Sequence, residues 1–382
     1  DGGAFRFSED RFDRISGLPF DGSKKPNTSY YLGEYGNLEW DPRCFQCMYS
    51  PVGSELWRTE DGGASWTLVH DFGGDKIISV KVSPRDPQRM YVSHKQSGSV
   101  WRIHRTSDGG STWDLASLSF TENGNNNNKP IYLDVDATNP DRAWCILTGT
   151  QSGYKVFETT DAGETWQNQT TSAISGERVI SIAHQRGSEG GVYIGTTQAV
   201  YYRDDAMDDW LLYNTGLPAI NVCTFLQPDY CGGQIRTAGT RGVHQAEFYA
   251  PSELLAGFMA DRTQINLASP CSVDPVRFVD VSVAPCEGTT YAWEFPGGTP
   301  STASGLDVSV LYEDVGNHDV TLTVTDAEGT SDAWTWSGMI EVVDVPVVPE
   351  GGFVEDFDGD LFPPPYWRLE TPGHAWEHAW DL

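Results

Sequence analysis

The sequence predicts an all-β chain made of small sheets in series, and three observations predict it. A short motif recurs, as "WRTEDGGASW" at 57–66, "RTSDGGSTW" at 105–113 and "ETTDAGETW" at 158–166. The segments between copies alternate apolar and polar residues with period two, are rich in β-branched and aromatic residues, and are punctuated by Gly, Asp and Asn. No segment shows a competing helical period.

Aligned on the aspartate, the copies fall at Asp61, Asp108 and Asp161, with degenerate members at Asp10 and Asp205. The separations are 51, 47, 53 and 44 residues, the length of one four-stranded sheet with its turns. Each unit begins with a strand and a turn, as in "GNLEWDPRCFQCMYS", "ISVKVSPRDPQRMYVSH" and "YLDVDATNPDRAWCILTG". A second strand follows, then a third that runs into the motif. Sheets of this size in series bury their faces best when arranged radially, as a β-propeller.

The propeller is expected over 1–249, a linker over 250–262 and a second unit over 263–343. Six or seven short alternating strands in about 80 residues predict an immunoglobulin-like β-sandwich there. A Pro-rich linker is expected over 344–352, and 353–382 is too short for a domain of its own. The array is expected to continue upstream of residue 1, because the first unit begins at its third strand.

The recurring motif resembles the Asp-box, or BNR, repeat of sialidases, sortilin-like receptors, some xyloglucan hydrolases and bacterial surface proteins. Residues 263–343, through "YAWEFPGG" and "YEDVGNHDVTLTVTDAEG", resemble the polycystic-kidney-disease (PKD) type domain. There the resemblance implies that Trp293 and Phe295 fill the core and that Val320, Leu322 and Val324 point inward. The last 30 residues resemble the start of a jelly-roll module found after PKD-type domains in secreted proteins of Bacteroidota. That likeness implies a secreted or cell-surface protein, exported by the type IX route.

Formal charge is −29, with the acids spread along the chain. Such a surface repels phosphate, which excludes nucleic acid and anionic membrane as partners. No run of 18 apolar residues exists, so membrane insertion is not expected. Seven cysteines lie at Cys44, Cys47, Cys145, Cys223, Cys231, Cys271 and Cys286. Six form close pairs in sequence, 44 with 47, 223 with 231 and 271 with 286, which predicts local disulfides and an oxidising compartment. Cys145 is left as a buried thiol. Half a zinc site at Cys44-Phe-Gln-Cys47 is the rival reading, but no second half completes it.

The box has a structural explanation. Asp61, Asp108 and Asp161 can accept backbone N–H groups across a turn. Gly63, Gly110 and Gly163 supply backbone angles closed to other residues, and Trp66, Trp113 and Trp166 pack between strands. In the families it resembles, the box lies away from the catalytic mouth. Sialidase chemistry would need an arginine clamp and an activated tyrosine, and the family's Arg-Ile-Pro triplet has no nearer counterpart than Arg102-Ile103-His104.

A glycosidase needs only two carboxylates at a set separation. Glu34, Glu39 and Asp134, near inner strands or top loops, are the residues to inspect. Asp356, Asp358 and Asp360 could hold Ca²⁺, although Trp367 stands where an EF-hand loop needs glutamate. No other cofactor is expected. The expected function is a non-catalytic secreted or cell-surface protein, with the propeller as binding platform and the PKD-type domain as spacer. Its partners would be an extracellular glycan or protein, or copies of itself. The alternative is a secreted polysaccharide-degrading glycoside hydrolase.

Overall fold

The computed structural model describes residues 5–8, 11–14, 38–74, 76–96, 100–116, 131–149, 151–214, 222–268 and 274–345. The described chain is all-β. A hairpin pairs Phe5–Ser8 with Arg11–Arg14, and five antiparallel sheets follow. Asp10, Glu34, Cys271, Asp356, Asp358, Asp360 and the jelly-roll-like segment lie outside the described residues.

The first sheet holds Glu39–Asp41, Cys44–Val52, Glu55–Thr59 and Thr67–Asp71. The second holds Lys76–Ser83, Asp86–Gln96, Val100–Thr106 and Asp114–Leu115. The third holds Ile131–Val135, Ala143–Leu147, Val156–Thr159 and Gln167–Asn168. The fourth holds Val179–His184, Val192–Thr196, Val200–Arg203 and Leu211–Leu212. The fifth has three strands, Cys223–Asp229, Gln234–Gly239 and Gly242–Glu247.

Apolar layers between successive sheets hold the propeller together. Tyr49, Leu56, Val80 and Met90 join the first two sheets, and Trp101, Ile103, Leu133 and Cys145 the next two. Trp144, Ile146, Val179 and Ile194 follow, then Tyr193, Tyr202, Leu226 and Ile235. Second strands such as "AWCIL" and "VYIGT" are buried on both faces, which explains their unbroken apolar character. In the fifth sheet Gln234–Gly239 is buried on one face only, and Phe225 and Val243 stay exposed on the other.

The first strands of the second to fifth sheets lie side by side. The amide of Leu133 donates to Ser79 Oγ (3.2 Å), and Ser181 Oγ donates to the Cys223 carbonyl (2.6 Å). The residues lining the axis therefore come from these strands.

The second unit is a β-sandwich. One sheet runs Gln264–Asn266, Ser331–Val343, Gly316–Thr325, Thr290–Glu294, Thr302–Ser304. The other orders Gly298–Thr299, Asp307–Tyr312, Val276–Asp280 and Phe258–Ala260. Trp293 and Phe295 stack in its core with centroids 5.7 Å apart, surrounded by Val320, Leu322 and Val324. The Trp293 indole donates to the Gly305 carbonyl (2.8 Å), so its one polar atom is satisfied.

The segment 250–262 contributes Phe258–Ala260, which pairs with Val276–Asp280 and also, in parallel at Ala260, with Cys44 of the first sheet. One sheet thus runs continuously from propeller to sandwich.

Candidate functional site

Three turns repeat one arrangement. In the first, Asp61 Oδ1 accepts from Thr59 Oγ1 (2.8 Å) and the Ser65 amide (2.9 Å), and Oδ2 accepts from Ser65 Oγ (2.6 Å). Thr59 Oγ1 in turn accepts from the Gly63 amide (2.8 Å). Asp108 repeats this with Thr106, Thr112 and Gly110, and Asp161 with Thr159, Thr165 and Gly163. Gly110 has φ 95°, and a Cβ there would lie 2.8 Å from Val69 Cγ1. Both observations require glycine.

The indoles of Trp66 and Trp113 donate to the carbonyls of Gly63 (3.2 Å) and Gly110 (3.0 Å). Trp166 packs against the layer between the second and third sheets without that bond. Burial would raise the Asp61 carboxyl, but donors from Ser65 and Thr59 hold it at about 2. Thr112 and Thr106 do the same for Asp108. The hydrogen bonds that these carboxylates accept come from their own turns. In these three copies the threonine two places before the aspartate joins the lock, donating to the carboxylate and accepting from the glycine amide.

Asp205, the degenerate member, does something else. It takes a forked pair from Arg142, with Nη1–Oδ2 at 2.8 Å and Nη2–Oδ1 at 2.5 Å. Arg142 also bonds Glu158 (2.8 Å) and lies 4.7 Å over the Trp144 ring. That pair ties the third sheet to the fourth.

A second set of polar residues is not repeated. Lys81 Nζ lies 3.6 Å from Glu39 Oε2 and 3.6 Å from Asp134 Oδ1. The two carboxylates are therefore at most twice 3.6 Å, about 7 Å, apart. The amide of His184 donates to Asp134 Oδ2 (2.7 Å), and the amide of Val82 donates to Glu39 Oε1 (3.4 Å). His184 donates from Nδ1 to the Gly191 carbonyl (2.9 Å), stacks on Trp144 and holds Nε2 3.8 Å from Asp136. Burial raises the Glu39 carboxyl above its ordinary value against the pull of Lys81. Lys81 is raised by Glu39 and Asp134, and His184 is lowered by burial.

This cluster sits at the box end of the axis. Asp41, Ser83, Val135 and His184 close the first strands, and the box turns bond to the chain that follows. The Gly62 amide donates to the Gln46 carbonyl (3.0 Å), Gly109 to Gln88 (3.0 Å) and Ala162 to Asp141 (2.8 Å). Glu39 and Asp134, expected near inner strands or top loops, lie on the first strands Glu39–Asp41 and Ile131–Val135. They meet at the end that carries the box turns. Alternation places a residue on a strand face without saying at which end of a ring its neighbours gather. Lys81 was missed because a lysine on an alternating strand reads as solvated.

The box end is also where the sandwich docks. Gln185 Nε2 donates to the Ala250 carbonyl (2.7 Å), and the Glu253 amide to the Gly187 carbonyl (2.6 Å). The Arg85 guanidinium lies 4.2 Å over the Trp334 ring and pairs with Asp332 (3.5 Å). The Ala260 amide donates to the Arg43 carbonyl (2.7 Å). Cys231, in the matching turn of the fifth sheet, is disulfide-bonded to Cys286 of the sandwich, with Cα atoms 4.7 Å apart. Four of the five sheets thus hold the segment and sandwich at this end.

The cysteine expectations divide. Cys44 and Cys47 are bonded, with Cα atoms 5.1 Å apart, which leaves them unavailable as zinc ligands. The local pairings of Cys223 with Cys231 and of Cys271 with Cys286 are corrected, because Cys231 and Cys286 bond each other across the domain junction. Cys223 is instead a thiol buried between the fourth and fifth sheets beside Thr237, and Cys145 is also a buried thiol. A sequence signal for the junction existed. The first turn of each earlier sheet carries an arginine, at Arg43, Arg85, Arg142 and Arg186, and Cys231 takes that place in the fifth. Among the described residues no group of three or more His, Cys, Asp or Glu is arranged to hold a metal.

Comparison with known proteins bears on this architecture. Residues 267–336 match the PKD domain family, and residues 54–178 match the family described as sortilin, neurotensin receptor 3. A xyloglucanase of a Paenibacillus species is 28% identical over 153 residues, covering 35% of this chain and 15% of that protein. A xyloglucanase of Hypocrea jecorina is 29% identical over 151 residues, covering 34% of this chain and 18% of that protein. The vacuolar protein sorting/targeting protein 10 of Sordaria macrospora is 30% identical over 95 residues, covering 25% of this chain and 6% of that protein. The chain spans less than a fifth of each of these relatives.

Among solved structures, the GH74 xyloglucanase from Xanthomonas campestris superposes with a TM-score of 0.48 at 11% identity, over 89% of this chain and 70% of that one. YCF48 from Cyanidioschyzon merolae gives 0.40 at 11% identity, over 80% and 87%. These structural likenesses carry no functional weight. The fold and the matched segments define the class: an all-β protein in which propeller sheets are followed by a PKD domain.

Proposed function

We propose that this chain is an extracellular, non-catalytic platform. The propeller offers its mouth end, opposite the boxes, to a glycan or protein, and the sandwich holds the other end as a fixed pedestal. The observation that carries the reading is the docking of segment and sandwich onto four sheets at the box end, with a disulfide across the junction. Disulfides suit an oxidising, extracellular setting. Among the described residues, Glu39 and Asp134 near the axis share Lys81 and lie at that docked end, which fits a structural role.

A glycoside hydrolase is the second reading. The Glu39 and Asp134 oxygens that face Lys81 lie within about 7 Å of each other, a bound that admits the separation retaining enzymes use, and the xyloglucanases noted above resemble about a third of the chain. Incubating the full chain with soluble xyloglucan and a panel of neutral polysaccharides, with measurement of both retention and reducing ends, separates the two. The platform reading expects no release of reducing ends from any of them. Turnover that Glu39→Gln or Asp134→Asn abolishes would overturn it in favour of the hydrolase.

A further inference from the structure

The two disulfides of the described chain differ in access. Cys44 and Cys47 are buried, at 0% and 3% exposure, as are the thiols Cys145 and Cys223. Cys231 and Cys286 are exposed. The accessible disulfide is therefore the one that joins the two domains. It closes 55 residues of sequence, and it fastens the sheet for which three strands are described, with Phe225 and Val243 exposed on one face.

We propose that Cys231–Cys286 is a reduction-sensitive latch between propeller and sandwich, opened selectively by a dithiol. In the exchange a thiolate of the dithiol attacks one sulfur of the pair and releases the other as a thiol. The second thiol of the dithiol then displaces the protein from the mixed disulfide. The dithiol leaves as its own cyclic disulfide, having supplied two electrons and two protons, and Cys231 and Cys286 become thiols. A thiolate must reach sulfur along a line, so burial protects Cys44–Cys47 from the same reagent.

Opening the latch has a local consequence. The Cys286 amide donates to the Cys231 carbonyl (3.5 Å), and no other direct bond between the turn at 230–233 and the sandwich is recorded among the described residues. The strand pairing of Ala260 with Cys44 and the Arg85–Trp334 stack lie on the first and second sheets and remain. Reduction therefore releases the turn at 230–233 from the sandwich, while the domains stay joined and the fifth sheet keeps its core and its bonds to the fourth. The rigid state then depends on redox conditions, whatever the propeller binds.

The test uses the folded, oxidised full chain and dithiothreitol as the probe. After mild reduction and iodoacetamide, peptide mapping should find Cys231 and Cys286 alkylated and Cys44, Cys47, Cys145 and Cys223 protected. Amide hydrogen exchange should rise roughly tenfold or more in 229–234 and 284–288, with Ile131–Val135 and Val192–Thr196 unchanged. Cys286→Ser should reproduce that pattern without reductant. Alkylation of Cys44 and Cys47 at the same dithiol concentration, unchanged exchange in 229–234, or an equal rise in all sheets would each overturn the proposal.

Discussion

The box turns and the junction occupy the same end of the same sheets and are built in opposite ways. Each box is closed by partners two to four residues away in sequence, and the arrangement returns three times with the same atoms. The junction is built once, from residues far apart: Ala260 with Arg43, Arg85 with Trp334, and Cys231 with Cys286; the Glu39, Lys81 and Asp134 cluster inside the propeller is likewise unrepeated. Repetition at this end marks architecture, and the unrepeated residues decide how the propeller is mounted.

That contrast can be broken by substitution. Lys81→Met should have the largest effect, because it leaves two mostly buried carboxylates facing each other. It should destabilise the chain by about 3 kcal/mol in chemical denaturation. Adding Glu39→Gln and Asp134→Asn should recover most of the loss. A negligible effect of Lys81→Met would show that the cluster is solvated and contributes nothing to the stacking of the first three sheets.

Asp108→Ala should cost less, because the Thr112 amide and the hydroxyls of Thr106 and Thr112 lose their acceptor but remain open to water. The change should be felt in the second sheet, read by hydrogen exchange, and should leave the junction cysteines bonded. Loss of the Cys231–Cys286 bond in this variant would mean that boxes and junction are not independent.

The smallest effect concerns pH. His104 is held at about 4, below the usual 6.5, first by burial and then by His94, His70 and Arg102. The unfolded chain binds this proton more readily, so its contribution to stability is complete above pH 6.5 and is lost as pH falls through about 4. His104→Gln should flatten that part of the stability profile. The carboxylates of Asp61 and Asp108, held at about 2 against an ordinary 3.8, act lower, and their contribution is lost as pH falls from about 4 through 2.

How far the sequence could be read follows from the same contrast. The boxes were legible because Thr, Asp, Gly and Trp sit within eight residues of each other and recur. Trp293, Phe295 and the alternating Val320, Leu322 and Val324 were legible because period two states which face is inward. Glu39 and Asp134 were recognised as residues to inspect, but their meeting point depends on how three sheets stack. The bond between Cys231 and Cys286 was illegible from spacing alone, since closeness in sequence favoured other partners. It exists because the sandwich folds back onto the turns of the propeller.

The most direct measurement of whether the sandwich is a fixed pedestal is a distance between the two domains in solution. Spin labels at Leu115→Cys, on the outer strand of the second sheet, and at Thr335→Cys, on the exposed face of the sandwich, report it by pulsed electron resonance under oxidising conditions. A fixed pedestal gives one narrow distance distribution that matches the structure. A broad distribution in the oxidised protein would contradict it, and would make the sandwich a swinging spacer.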